Sequence, residues 1–380
     1  MRVKEVTLFT NGDPHKLSTW SNVPFFVLKT LEAKGIKVNC VDISPNYLLN
    51  FFHYQLFWKI LKIFNSDTAL DSSRNIIHIW YTKFIINAAT KKYSTAQANI
   101  FLTFSFTSPK VKNQVSILLC DWTYEYYFKY FKKREPDFCE RIAIRNESKM
   151  IEESDIVITL FSTVFSYMNT VNKPRILLYL GNVINSLISP NQSNILALKS
   201  TSQDILFIGN IKYIYGATIL IESFKKLLLK FPKLSLHIVG MNSSDFKDLP
   251  DRVICHGYLN KGCESDKKLY YSLLEKAKVF INTTPKWGAI SATIEAMYLF
   301  TPVIVEPYDE FVKSFGAKLS FGLYCESQSS EILAAKIEEI FSNKYYNNLC
   351  LSAHNSVKDC TWSSYIDKVL YAIETYNTAK

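Results

Sequence analysis

The sequence predicts an α/β protein built from two Rossmann-like, doubly wound domains that face each other across a cleft. Three observations carry this expectation. The chain of 380 residues is long for one core and comfortable for two domains of ordinary size. A strand, turn, helix, strand rhythm opens the chain and returns after residue 200. Glycine is scarce, 11 in all, and Gly12, Gly209, Gly240 and Gly257 each follow an apolar, β-branched run, as expected of loops at strand ends.

The first domain is placed over residues 1–188. Val6-Thr7-Leu8-Phe9-Thr10 reads as a buried strand that stops at the polar turn Asn11-Gly12-Asp13-Pro14. Pro24 to Lys34 follows as a helix closed by Gly35, and Val38 to Ile43 as the next strand, which completes a βαβ opening. The aromatic-rich stretch from Phe51 to Phe64, with lysines toward its end, has two readings: a helix that rests on a membrane, or one buried against the domain. Val115 to Leu119 is strand-like and leaves Cys120-Asp121-Trp122-Thr123 at its end.

Ser189-Pro190-Asn191-Gln192-Ser193 is polar and turn-prone, so the linker is expected there. The second domain spans 200–360. It opens with a strand from Asp204 to Ile208, the Gly209 loop and a helix from Thr218 to Lys230, which Phe231-Pro232 stops. Strands Leu234 to Val239, Val253 to His256 and Val279 to Asn282 precede a helix from Ser291 and a strand from Val303 to Glu306. The tail, 361–380, has helical apolar spacing at Ile366, Val369, Leu370 and Ile373.

Composition narrows the class. Hydrophobic content of 48% with 14% aromatic residues excludes a disordered chain. The net charge of +10 admits nucleic acid, an anionic membrane surface or phosphate-rich small molecules, but no Arg-rich run or nucleic-acid motif accompanies it, so no nucleic-acid partner is expected. Eight cysteines show no CxxC pair and no zinc spacing, which fits free thiols, a reducing cytosol and no metal site. Neither a signal peptide nor a transmembrane helix is expected, which leaves a cytoplasmic protein, either free or in peripheral contact with the cytoplasmic face of the inner membrane.

The segment Thr284-Pro285-Lys286-Trp287-Gly288-Ala289-Ile290-Ser291-Ala292-Thr293-Ile294-Glu295-Ala296-Met297, then Pro302-Val303-Ile304-Val305, carries the most chemistry. A glycine, two small hydroxylated residues and an acid leading a helical pattern describe a helix start facing a cleft, where N–H groups and the helix dipole favour an anion. The segment resembles the donor-site signature of retaining glycosyltransferases of family four, glycosyltransferase group 1, which have the GT-B fold. Gly288, Glu295, Ala296, Met297 and Pro302-Val303-Ile304 match; Trp287 stands where that family has its first glutamate.

The resemblance implies a nucleotide-sugar donor. Glu295 would then hold the ribose, and Ile290, Ser291, Ala292 and Thr293 would offer N–H groups and hydroxyls to the diphosphate. Read without it, Glu295 is an acid favoured in a first helical turn and Ser291 and Thr293 are cap residues. Trp287 cannot accept hydrogen bonds, so its two readings are stacking on a sugar face or core packing. The loop from Gly209 through Asn210, Lys212 and Tyr215 to Gly216 resembles the family's phosphate-neutralising loop, with Asn210 for its arginine and Tyr215 for its lysine. Lys212 is close enough to substitute as the catalytic cation or is an ordinary surface lysine.

In the first half, the stretch Gly12, His15, Trp20, Ser21 to Pro24 resembles the family's first loop and is the expected acceptor or phosphate loop, with a plain turn as the alternative. Asp121, at a strand end, either orients or deprotonates an acceptor hydroxyl or caps a helix. Gly181-Asn182-Val183 resembles the loop before the family's linker. The resemblance also implies that the terminal helix packs back on the first domain.

The function expected is a hexosyltransferase that moves a sugar from a UDP- or GDP-linked donor, a substrate and not a cofactor, to a saccharide or lipid-linked saccharide. Retention, metal independence and a setting in bacterial surface polysaccharide synthesis come from the resemblance alone. Two rivals stand beside it: a degenerate GT-B scaffold that holds a partner transferase, and another sugar-nucleotide enzyme such as an epimerase.

Overall fold

The computed structural model describes residues 2–283 and 290–378, and the chain divides into two compact units. One is formed by Met1–Asn182 with Trp362–Lys380, the other by Val183–Thr361. The expected linker at 189–193 therefore lies inside the second unit. Asn191 there accepts from the Asn194 N–H at 3.1 Å and caps the helix Gln192–Thr201, so the polar run is a helix start rather than a connection.

The first unit holds a parallel sheet in the order β2-β1-β3-β4-β5-β6. Its strands are β1 Glu5–Thr10, β2 Lys37–Asp42, β3 Ala98–Phe101, β4 Val115–Cys120, β5 Ile156–Thr159 and β6 Leu177–Tyr179. Parallel strands covered on both faces read as continuous apolar runs, and β3, β5 and the body of β4 are buried throughout. Strand order reverses between β1 and β3, so the loops after those strands part and leave a crevice at their C-terminal ends.

Helix α1, Val23–Ala33, connects β1 to β2. Helices α2, Tyr47–Phe52, and α3, Trp58–Phe64, are joined by one π-helical stretch, His53–Phe57, and α4 runs over Ile76–Lys92. The buried His53 ring lies between the Leu70 carbonyl and the Asn75 amide, each at 3.1 Å. Phe57 and Leu61 pack on a small core of Leu70, Tyr124 and Phe128, whereas Phe51, Phe52, Leu56 and Phe64 are exposed. The stretch is thus anchored on one side and open on the other.

The final helix, Trp362–Thr378, packs within the first unit. Trp362 stacks on Phe26 of α1 with ring centroids 6.1 Å apart, and Ile366, Val369 and Ile373 are buried. Near its end the Tyr376 hydroxyl donates to Asp155 at 2.6 Å. Burial alone would raise the Asp155 carboxyl, but donors from Lys110, Ser116 and Tyr376 outweigh it and hold it at about 2.

The second unit repeats the plan, with strand order β12-β11-β10-β7-β8-β9. The strands are β7 Asp204–Ile208, β8 Ser235–Val239, β9 Val253–Cys255, β10 Val279–Asn282, β11 Val303–Val305 and β12 Gly322–Tyr324. Its switch point falls between β7 and β10. The helix after β7 is Ile214–Leu227, earlier than the apolar spacing predicts; Gly216 is buried inside it rather than in a loop.

Candidate functional site

In the first unit a cavity of about 220 Å³ opens at the switch point. Its walls come from Asn11 and Trp20 after β1, Thr103 and Ser105 after β3, Cys120 at the end of β4 and Asp121 after it, Arg74 from the approach to α4 and His78 from its first turn. The loop after β1 is tightly folded: Gly12 donates its N–H to Asp42 at 3.0 Å, and the Thr19 hydroxyl donates to the Asp13 carbonyl at 2.7 Å. Trp20, Ser21 and Asn22 all have positive φ, at 34°, 52° and 72°. Three successive non-glycine residues there store backbone strain, and Trp20 is thereby set against the cavity.

Asp121 accepts the Trp122 N–H at 2.8 Å and the Cys120 S–H at 3.3 Å through Oδ1. It does not cap a helix; Thr123 does, accepting from the Tyr126 N–H at 3.1 Å. Burial raises the Asp121 carboxyl above the usual range, which makes its carboxylate a better proton acceptor than a solvated one. Behind it Arg74 pairs with Asp71 at 2.5 Å, lies 4.2 Å from the Tyr124 ring and approaches Glu147 at 4.0 Å. His78 is nearly fully buried, and burial lowers its proton affinity. The cavity is thus half polar, with one carboxylate of raised basicity on its wall.

In the second unit the loop after β7 is built by close backbone approach. The Gly209 N–H donates to the Val239 carbonyl at 2.9 Å, and a Cβ on Gly240, at φ +98°, would sit 2.7 Å from the Gly209 carbonyl oxygen. Asn210 accepts from the Lys212 N–H at 3.1 Å and caps the short turn Ile211–Tyr213. Lys212 lies on the exposed side of that turn, and Tyr215 is exposed in the helix that follows.

On the other side of the switch point, the helix Ser291–Tyr298 begins at Ile290 with no side-chain cap. Thr293 is fully buried and accepts from Asn282 at 3.1 Å, and Ser291 accepts from Asn185 at 3.4 Å. Ala292 follows Ser291 in the first turn. Trp287 and Gly288 lie outside the described residues.

Glu295 is buried, and both its oxygens are occupied. Lys261 donates at 2.8 and 2.9 Å, the Tyr270 hydroxyl at 2.8 Å and the Tyr271 hydroxyl at 3.2 Å. The Lys261 ammonium also lies 4.3 Å from the centre of the Tyr270 ring. Burial, with the Glu295 charge adding to it, pushes both phenols above their ordinary range, so they remain donors. Glu295 therefore ties its helix to Glu264–Lys276 and to the loop before it.

The structure gathers Asp121 and Trp20 in one cavity, while Gly12, His15 and Ser21 share Trp20's loop without lining it. His15 instead pairs with Asp13 at 2.9 Å. Gly209, Asn210 and Lys212 follow β7, and Ile290, Ser291, Ala292, Thr293 and Glu295 follow β10, the two strands at the second switch point. Arg74, His78, Lys261, Tyr270 and Tyr271 were missed; only the tyrosine pair, at successive positions of an apolar helical pattern, left a trace in sequence.

Residues 189–356 match the family model for glycosyl transferases group 1. No curated protein matches the chain at significance. Among solved structures, it is similar to sucrose-phosphate synthase from Thermosynechococcus elongatus, at 14% identity over 99% of this chain and 100% of that one, with a TM-score of 0.67. It is similar to HepE of Anabaena, solved in complex with UDP and glucose, at 11% identity over 98% and 99% of the two chains, with a TM-score of 0.61. A third likeness is to a protein from Listeria monocytogenes described as a putative UDP-N-acetylglucosamine 2-epimerase, at 12% identity over 100% and 98%, with a TM-score of 0.55. At such identities these likenesses speak for the fold, and the fold is GT-B.

Proposed function

We propose that this chain, a glycosyltransferase by its glycosyl transferases group 1 domain, transfers a sugar from a UDP- or GDP-linked donor to a hydroxyl of a saccharide or lipid-linked saccharide. The observation that carries the reading is that the family-matched segment includes both loops of the second unit's switch point, the one after β7 and the one before Ser291. Nucleotides bind at such points in open α/β sheets.

The donor diphosphate is held by N–H groups at the Ser291 helix start and by the Lys212 ammonium, which stabilise the charge that develops as the diphosphate leaves. Glu295 supports that helix through Lys261 and the two tyrosines rather than by reaching outward. The acceptor sits in the first unit's cavity, where Asp121 takes a hydrogen bond from the attacking hydroxyl and Trp20 packs on a sugar face. Retention, metal independence, a cytoplasmic location and a role in bacterial surface polysaccharide synthesis complete the reading.

The test is saturation-transfer NMR of the full chain against UDP-, GDP-, CMP- and dTDP-sugars, beginning with UDP-glucose because the Anabaena neighbour holds UDP and glucose. One nucleotide class is expected to respond, to weaken about tenfold in Lys212→Ala and to persist in Asp121→Asn, which loses sugar transfer instead. Silence across the panel with folded protein would favour a scaffold. The epimerase-like fold of the Listeria protein motivates one further control: an altered sugar nucleotide formed without any acceptor would assign the chain to that chemistry.

A further inference from the structure

The outer face of α4 is apolar where a solvent-facing helix is ordinarily polar. Ile76, Ile77, Trp80, Tyr81 and Phe84 recur at helical spacing and are exposed, Trp80 by 79% and Phe84 by 70%, while His78, Ile79, Thr82 and Ile86 on the opposite face are buried. The α2 to α3 stretch adds Tyr47, Phe51, Phe52, Ile63 and Phe64, all exposed. The two are held side by side: Asn75, which caps α4, donates to His53 at 3.1 Å, and Ser72 donates to Asn50 at 2.6 Å. Two exposed aromatic and aliphatic stretches tied together in this way mark an interaction site.

Charge identifies the occupant. Residues 47–64 and 76–92 contain no Asp or Glu, yet carry Lys59, Lys62, Lys83, Lys91 and Lys92. All five lysines are exposed, and the Lys62 ammonium lies 3.8 Å from the centre of the Trp58 ring. Apolar bodies with Trp and Tyr among them, rimmed by cations, match an anionic lipid headgroup layer, into which rings insert and toward which lysines reach. A second copy of the chain fits poorly, because a two-fold contact would set lysines against lysines. Among the described residues no helix is long and apolar enough to cross a membrane, so the contact is with the surface of the bilayer.

We propose that the face formed by α2, α3 and α4 docks the first unit on an anionic bilayer surface. Arg74, at the approach to α4, and His78, on the inward face of its first turn, line the cavity that the proposed function gives to the acceptor, so one helix separates that cavity from the docking face.

Co-sedimentation of the full chain with phosphatidylcholine vesicles, with and without phosphatidylglycerol, tests this. Binding is expected with phosphatidylglycerol and to fall steeply in high salt. It is expected to drop about tenfold or more in the double variant Trp80→Glu, Phe84→Glu, and about fivefold for each of Lys83→Gln and Lys62→Gln. Leu229→Glu, an exposed apolar residue of the second unit, serves as the control and should bind as the parent does. Circular dichroism and nucleotide-sugar binding, measured on the same samples, should be unchanged in Trp80→Glu, Phe84→Glu, which keeps this outcome separate from the fate of the transferase reading. Equal pelleting by parent and double variant, or no pelleting with either lipid, overturns the proposal. Concentration-dependent self-association in sedimentation velocity that the double variant abolishes also overturns it, in favour of a dimer face.

Discussion

The two oxygens of Glu295 receive four hydrogen bonds from three side chains, and one donor is the ammonium of Lys261. Removing one partner of a buried ion pair costs far more than the pair contributes, because the survivor keeps its desolvation penalty. Glu295→Gln is therefore expected to destabilise the second unit by about 3 kcal/mol in urea unfolding, whereas Lys261→Met combined with Glu295→Leu should recover most of that loss. If the single and double variants lose equal stability, the ion pair is not what matters at this position. Glu295 itself was legible in sequence, since a short motif surrounds it. Its partners stand 34, 25 and 24 residues away, and no local pattern joins a loop lysine and two helix tyrosines to one carboxylate. Arg74 and His78 were hidden for the same reason: only the crevice between strands distant in sequence gives them a common wall.

The loops after β7 and β8 depend on two glycines in contact. Gly240 has φ +98°, and a Cβ there would come within 2.7 Å of the Gly209 carbonyl, backbone that cannot swing aside without losing the Gly209 to Val239 hydrogen bond. Gly240→Ala should cost about 2 kcal/mol in chemical denaturation and weaken donor binding in the NMR titration, since the loop that carries Lys212 would have to move. In the first unit, Asp155→Asn should cost about 2 kcal/mol, because the carboxylate held at about 2 loses its charge-assisted donors. Strands β1, β2, β4, β7, β8, β9, β10 and β11 were readable because buried parallel strands are largely apolar, as in Val303–Val305, whereas β3, β5, β6 and β12 were not singled out in the sequence. Element edges set by capping were not: Asn191 has the same composition in a linker and in a helix start, and Ile214 begins its helix within a run whose glycine suggested a loop. The stretch from Phe51 to Phe64 was ambiguous because apolar residues surround it on all sides; the buried His53 marks the inner face, a fact decided by Asn75 and Leu70 from another segment.

Acid should loosen the second unit through two histidines, His237 on β8 and His256 just past the end of β9. His237 Nδ1 and His256 Nε2 lie 3.0 Å apart and can share one proton but not carry two, and burial depresses both below 6.5. The unfolded chain then binds more protons than the folded one once pH falls toward and below 6.5, so their contribution is complete above that value and is lost as pH drops from it through the lowered folded-state values. Thermal unfolding across this range should show a falling midpoint, and the slope should flatten in His237→Asn combined with His256→Gln. At the level of the entire chain, the first unit is interrupted: its sequence leaves at Asn182 and returns only at Trp362, whose ring covers Phe26. A nascent chain leaving the ribosome thus presents residues 183–361 whole, able to fold as one uninterrupted piece, while the earlier-made unit waits for the helix Trp362–Thr378. Until residues 362–378 are made, Phe26 of α1 lacks the Trp362 ring that covers it in the folded unit.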